Sequence, residues 1–217
     1  MKKTLRFLSD LENNNNKDWF EENRSRYKEA RQEFIQFITE VITGLAEKDP
    51  SLQQIVDPKK CVFRINRDIR FSKDKTPYKT NFAAAFSEEG KAVHQPGFYI
   101  SIKPGNSMVG GGIWLPEPQR LQAIRQEIDY NGDELKKIIN NPDFKNTFGQ
   151  MEGERLKNPP KGYDKENPQI ELLKYKSFVA STTLDDKDLT SDDIKNKTIS
   201  VLEKLIPFKK YFDVALD

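Results

Sequence analysis

The period of the hydrophobic pattern changes near residue 60, and this change constrains the fold more than any other feature. Between Asp18 and Lys48, apolar side chains recur at helical spacing, which predicts a helix of about 30 residues with one buried face. From Cys61 to Leu115, apolar and polar residues alternate instead, in segments separated by turns that contain glycine or proline. The two periods together predict an α+β fold.

Four segments have the pattern of strands joined by short turns, and a fifth follows later in the chain. The four are 61–71, 81–87, 97–103 and 108–115, and the fifth is 174–181. Short connections favour antiparallel neighbours, so we expect an antiparallel β-meander of four to five strands packed against several helices. Further helices are expected over 4–12, 118–128 and 133–139, and after Ser191. Since no repeat or long linker divides the sequence, residues 1–217 are predicted to form a single domain.

The chain has one cysteine and one histidine, which limits the chemistry open to it. Cys61 has no partner for an intramolecular disulfide, and neither a thiolate-rich zinc site nor a multi-histidine metal site can be built. We therefore expect no metal and no cofactor. Cys61 is on the apolar row of its segment and is expected to be a buried structural thiol, whereas His94 is expected at the surface.

The sequence also lacks the patterns of a signal peptide and of a membrane-spanning helix. Arg6, Ser9 and Asp10 interrupt the first apolar stretch before it reaches the length of a signal peptide. No apolar run approaches the ~18 residues that would indicate a membrane-spanning helix. The expected location is the cytoplasm, without membrane association.

Positive charge is concentrated in one short segment. Eight Lys or Arg and two Asp lie between Lys59 and Lys79, a local net charge of +6 in a chain whose total is +2. The attraction for anions is therefore local, with a range of roughly 8 Å at physiological salt. Arginine forks are suited to bidentate binding of carboxylate or phosphate.

The alternation of 61–71 suggests how these charges are arranged. Arg64 and Arg70 fall on the polar row, and the glycine-rich segment that follows supplies a second row of small residues. If the two rows share a sheet face, the glycines form a floor for a ligand beside the guanidinium groups. The predicted ligand-binding residues are Arg64, Asn66, Arg67, Asp68, Arg70, Lys73, Lys75, Tyr78, Lys79, Gly110, Gly112 and Trp114.

Arg67 is the anomaly of this segment, because strict alternation places it on the row of Phe and Ile. Two arrangements remain open. Either a β-bulge rotates its side chain outward, or the side chain is buried and paired, with Asp68 as a candidate partner.

Several long motifs resemble one known family. They are NNNKDWFEENR, FRINRDIRFSKDKTPYKTNF, GGGIWLPEP and ELLKYKSF, in that order along the chain. Together they are similar to the bacterial and fungal conserved-hypothetical family known as domain of unknown function 2461, over about residues 5–216. The resemblance implies one continuous domain and carries no reaction, ligand or catalytic residue.

Three hypotheses about function follow from the basic segment. The first is an anion-binding protein, or an enzyme of unknown reaction, that holds a phosphate- or carboxylate-bearing ligand. Asp68 or Tyr78 would then be the proton-transfer group in any catalysis. The second is nucleic-acid binding, with Tyr78 and Trp114 stacking on bases. The third is a protein-interaction module that binds an acidic partner.

Overall fold

The computed structural model describes residues 1–92 and 94–217. Its α-helices are α1 (Lys2–Asn13), α2 (Lys17–Glu22), α3 (Arg24–Ala46), α4 (Pro118–Asn140), α5 (Pro142–Phe148), α6 (Ile170–Leu173), α7 (Asp186–Leu189), α8 (Ile194–Glu203) and α9 (Ile206–Val214). Two 3-10 helices, Pro50–Gln54 and Pro58–Cys61, follow α3. The strands are β1 (Phe82–Phe86), β2 (Gly97–Ile102), β3 (Ser107–Ile113) and β4 (Phe178–Leu184).

The strands form one sheet in the order β1-β2-β3-β4, an antiparallel meander. The predicted α+β class is therefore confirmed, with four strands in the sheet. The strands predicted over 81–87, 97–103 and 108–115 are present, and the fifth predicted segment starts later than expected, at Phe178. The strand predicted over 61–71 is wrong, because this segment changes its pairing partner within a few residues.

The long helix predicted before residue 50 is divided in two. Asn23 separates α2 from α3, with backbone angles of φ −101° and ψ 15°. The Asn16 side chain accepts a hydrogen bond from the Trp19 amide and caps α2. Farther along, the break predicted between the helices at 118–128 and 133–139 is a kink inside α4, where the φ of Asn131 is −124°.

The chain divides into two compact units, each with its own apolar interior. Unit 1 comprises Met1–Lys91, Tyr99–Val109 and Thr183–Ser200, and unit 2 comprises Ala92–Phe98, Gly110–Thr182 and Val201–Asp217. The prediction of a single domain over 1–217 stays a prediction.

The core of unit 1 is aromatic. Phe7 of α1 is almost fully buried, and the rings of Trp19, Phe20, Tyr27 and Phe82 all lie with their centroids 5.8–6.2 Å from its own. The apolar face of α3 covers β1, whose five residues are all buried. This packing fixes β1 and the segment just before it, which carries the candidate site.

Unit 2 is built around Phe208 and Phe212 of α9. Phe144 of α5 packs on Phe208 with a centroid separation of 5.4 Å, and Phe178 of β4 packs on Phe212 at 5.2 Å. None of the described helices is long and apolar enough to cross a membrane.

Candidate functional site

The segment 61–71 is extended but does not form a continuous strand, because it changes pairing partner within a few residues. The Phe63 amide donates to the carbonyl of Ala83 in β1 at 2.8 Å, and Val62 forms an isolated bridge with Ala84. Residues 65–67 then pair with 77–79 instead, through an isolated bridge between Asn66 and Tyr78. The chain between them, 68–76, forms a loop.

The predicted alternation survives around Ile65 but not at Val62, which is buried although it was predicted on the polar row. Ile65 is buried while its neighbours Arg64 and Asn66 are exposed, as the pattern indicates. Cys61 is fully buried, which confirms the structural thiol, and burial raises its pKa. The apolar row ends early, however, because Phe71 lies in the loop and is 96% exposed.

Arg67 is half-buried and paired, but its partner is not Asp68. Its guanidinium forms an ion pair with Asp74 and donates to the Thr76 hydroxyl at 2.5 Å. The Thr76 amide also donates to Asp74, and these bonds together lower the pKa of the Asp74 carboxyl to about 2. The ion pair closes the loop, since Arg67 lies at its start and Asp74 and Thr76 near its end.

Asp68 pairs instead with Arg70, two residues on, through donors of the guanidinium at 2.6 and 2.9 Å. Hydrogen bonds from Arg70 lower the pKa of Asp68, with a smaller contribution from the charge of Arg64. A carboxyl with a lowered pKa is a weak general base and holds no proton to donate near neutral pH. Arg67 and Arg70 are therefore both neutralised by carboxylates of their own loop.

The other predicted loop residues have local roles. Lys73 is exposed, and the Lys75 ammonium donates to the carbonyl of Ile69 at 2.9 Å across the loop. Tyr78 is buried, and its ring stacks on Phe20 with a centroid separation of 4.0 Å. Burial also raises the pKa of Tyr78, so its phenol is neither an exposed stacking surface nor a ready proton-transfer group.

The glycine-rich strand β3 does not offer a ligand floor at Gly110 and Gly112. A side chain on Gly110 would meet the carbonyl oxygen of Ala180 at 2.4 Å, and one on Gly112 would meet that of Phe178 at 2.1 Å. Both carbonyls belong to β4, so these glycines allow the close approach of a neighbouring strand. Trp114, just after β3, is 54% exposed and belongs to unit 2.

A cleft of about 230 Å³ opens beside β1, and we call it the basic cleft. Its lining residues are Phe63, Arg64, Lys79, Asn81, Ala83 and Tyr99. The pairing of 62–63 with β1 and of 65–67 with 77–79 fixes Phe63, Arg64 and Lys79 on one side. On the other side of the cleft, the side-chain amide of Asn81 donates to the Ser101 hydroxyl at 2.8 Å, and this hydrogen bond orients the Asn81 side chain.

Two cations, Arg64 and Lys79, line this cleft, and Lys91 lies against its Phe63 ring. The ammonium groups of Lys91 and Lys79 lie 4.0 and 5.5 Å from the centroid of the Phe63 ring. In the described part of the chain, no ion pair involves Arg64, Lys79 or Lys91. Burial, together with the charges of Arg64 and Lys91, lowers the pKa of Lys79. The cations of the cleft thus lack the direct ion pairs that the arginines of the loop form, although the charge of Arg64 still acts on Asp68.

The lining of the basic cleft therefore brings together two of the predicted residues, Arg64 and Lys79, with four that the prediction missed, and Lys91, also missed, lies against its Phe63 ring. Tyr99 was on the polar row of its predicted strand, which was a usable signal, and Asn81 stands at the start of β1. Lys91 follows a turn and carries no pattern that would have marked it. The predicted ligand roles of Asn66, Lys73, Lys75 and Trp114 stay predictions.

Two other sequence expectations concern metals and histidine. Over residues 1–92 and 94–217, no three His, Cys, Asp or Glu side chains are grouped so that they could hold a metal ion. His94 is exposed, as expected, and its Nδ1 lies 2.8 Å from the carbonyl oxygen of Leu115.

Comparison with known proteins yields one match. A family model described as "Conserved hypothetical protein (DUF2461)" matches residues 3–211, nearly the whole chain. No curated protein and no solved structure matches the chain.

Proposed function

The chain belongs to this family of conserved hypothetical proteins (DUF2461), and we propose that it binds a small anion, a phosphate or a carboxylate, in the basic cleft. The family description names no ligand, so the proposal is based on the cleft alone. The observation that carries it is the proximity of Arg64, Lys79 and Lys91, none of which forms an ion pair with a carboxylate of the described residues.

Electrostatic repulsion among these three cations is the physical reason to expect that an anion binds between them. The lowered pKa of Lys79 means that its charged form is disfavoured by burial and by its cationic neighbours. An anion bound between them would replace this repulsion with attraction. It would also accept charge-assisted hydrogen bonds from guanidinium and ammonium donors, which are about twice as strong as neutral ones.

The size of the cleft limits the ligand. Pockets for drug-sized molecules begin at roughly 300 Å³, and the basic cleft offers about 230 Å³. It therefore suits one charged head group with a short attached chain. The Phe63 ring gives that chain an apolar surface, and Asn81 and Tyr99 add polar groups.

Thermal unfolding and isothermal titration calorimetry test the proposal with inorganic phosphate, pyrophosphate, succinate and a short oligonucleotide, at two salt concentrations. A ligand at about 100 times its dissociation constant adds roughly 2.7 kcal/mol to the free energy of unfolding, a shift of about 5–10 °C for a chain of this size. We expect a shift with phosphate or succinate. Comparing the two identifies the preferred head group.

The variant Arg64→Gln should weaken this binding about 10- to 100-fold, because it removes a hydrogen bond to a charged group. Arg70→Gln is the matched control, since Arg70 is exposed and already paired with Asp68. Its affinity should stay within about twofold of the unaltered protein. Equal affinity in the two variants, or no shift with any small anion, would contradict the proposal.

An acidic protein partner is a second candidate, and Phe71 is the observation that favours it. Its ring is 96% exposed on a loop held by the ion pair between Arg67 and Asp74, with Arg70 and Lys73 exposed beside it. An exposed aromatic residue among cations is typical of a contact surface. Nucleic-acid binding has less support because Tyr78 is buried, and it predicts a shift with the oligonucleotide that is lost at high salt.

A further inference from the structure

Lys79 lies in the basic cleft in a position that suits a nucleophilic amine better than a group that only binds an anion. Its backbone is fixed because its amide donates to the carbonyl of Ile65 at 2.8 Å. The side chain is half-buried and lines the open cleft, with its ammonium 5.5 Å from the centre of the Phe63 ring. Lys91 lies closer to the same ring, at 4.0 Å, a position that suits a group that remains charged.

We propose that Lys79 forms an imine with an aldehyde or ketone that carries a carboxylate or phosphate, while Arg64 and Lys91 hold the anionic group. This inference rests on the proposed anion site and adds a covalent step to it. It identifies the ligand class as an oxo acid or an oxo phosphate, and the reactive atom as Nζ of Lys79.

The chemistry requires an amine that loses its proton readily. An ordinary lysine is almost wholly protonated near pH 7, and a protonated amine has no free electron pair for attack. Burial and the charges of Arg64 and Lys91 lower the pKa of Lys79 and so increase the fraction of free amine. A lysine placed beside another cation in a partly desolvated site is an established way to activate this nucleophile.

The step balances without an oxidant or a reductant. The free electron pair of Lys79 Nζ forms a bond to the carbonyl carbon, and a proton moves from nitrogen to the former carbonyl oxygen. The resulting carbinolamine then loses that oxygen as water, which leaves a C=N bond to Lys79. Tyr99, which lines the cleft, is the group we assign to donate a proton to the departing oxygen, and it then recovers a proton from the nitrogen of the resulting iminium.

Two features favour a ligand that is both anionic and carbonyl-bearing. A neutral carbonyl compound would leave the charges of Arg64 and Lys91 unpaired, whereas an anion without a carbonyl would leave the free amine unused. A carboxylate or phosphate bound by these cations also holds the carbonyl next to Nζ, which makes the attack effectively intramolecular. The volume of about 230 Å³ admits a compound of this size.

Reductive trapping with glyoxylate tests the inference. The full chain is incubated near pH 7 with glyoxylate and sodium cyanoborohydride, whose hydride reduces the imine to a stable secondary amine. Peptide mapping by mass spectrometry then gives the modification rate at each lysine. We expect Lys79 to be modified about tenfold or more faster than the exposed Lys73, because the bound carboxylate raises the local concentration of the aldehyde.

Two variants and one neutral aldehyde act as controls. Lys79→Arg keeps the charge, and should remove the fast modification without creating another fast site. Arg64→Gln should slow modification of Lys79 by glyoxylate more than modification by acetaldehyde, because only glyoxylate loses a carboxylate-binding group as well as the charge that lowers the pKa of Lys79. Circular dichroism of both variants confirms that they are folded, so that loss of labelling is not caused by loss of structure.

The outcomes separate this inference from the anion site itself. If phosphate binds in an Arg64-dependent manner but Lys79 reacts no faster than Lys73, the imine is refuted and the anion site stands. If Lys79 reacts fast with glyoxylate and acetaldehyde alike and phosphate does not bind, both proposals are wrong. Preferential labelling of Lys91 also refutes the role assigned to Lys79.

Discussion

Replacing Gly112 with alanine tests how strand β3 is packed. A Cβ atom at this position would lie 2.1 Å from the carbonyl oxygen of Phe178 and 2.9 Å from a ring carbon of Phe208. Real Cβ atoms essentially never approach other heavy atoms more closely than 3.0 Å. The φ angle of +117° adds a second penalty, because it lies in a region that residues with a side chain rarely adopt.

The two penalties can be summed roughly. The backbone conformation costs about 1–3 kcal/mol for a residue other than glycine. Relief of the overlap requires β4 to move away from β3, and each hydrogen bond lost between them costs about 1 kcal/mol. A total of about 4 kcal/mol is a large part of the ~5–15 kcal/mol that stabilises a folded protein. The melting temperature should fall by about 8–16 °C.

Gly90→Ala is the matched control. Gly90 also has a positive φ, of +97°, but nothing lies within 4 Å of the position of its Cβ. Its substitution should cost only about 1–2 kcal/mol. Urea unfolding followed by circular dichroism measures both variants. If Gly112→Ala costs no more than Gly90→Ala, the space beside Gly112 is open and a ligand floor there becomes tenable again.

Three further predictions concern the core, the loop and the cleft. Phe7→Ala should lower the free energy of unfolding by about 3–5 kcal/mol, measured in urea, because Phe7 is the centre of the aromatic cluster of unit 1. Asp74 has a folded pKa of about 2, below the ordinary 3.8, so its contribution to loop order is complete above pH 3.8 and lost as the pH falls towards 2. Asp74→Asn should make the loop signals in NMR spectra insensitive to pH over that range. Lys79 has a lowered pKa, so the free energy of unfolding, measured in urea at several pH values, should rise with pH between that pKa and 10.5. Lys79→Arg should remove this rise.

The sequence predicted the fold class well because its hydrophobic periods are strong. Three strands and the positions of most helices follow from local patterns that tertiary contacts reinforce. The failure at 61–71 has a definite cause. The alternating pattern reports which side chains are buried, and that part was right for Ile65 and Arg64, but it does not report which neighbour the backbone pairs with.

The candidate site was predicted less well, since charge density does not reveal pairing. The sequence located the positive segment, yet it could not distinguish Arg67 and Arg70, which pair with Asp74 and Asp68, from Arg64, which forms no ion pair within residues 1–92 and 94–217. These ion pairs depend on the path of the loop. Loop paths depend on turns and side-chain contacts that have no periodic signature.

What the sequence determined by itself is the set of groups available: a locally concentrated positive charge, one buried thiol, and an α+β framework with an antiparallel meander. Only the tertiary structure decided which cations remain uncompensated. It placed Lys91 beside Lys79 over the Phe63 ring, and it filled the space at Gly112 with β4. The physical reason is that periodicity and composition are properties of neighbouring residues, whereas charge compensation and close approach depend on distances between segments far apart in the chain.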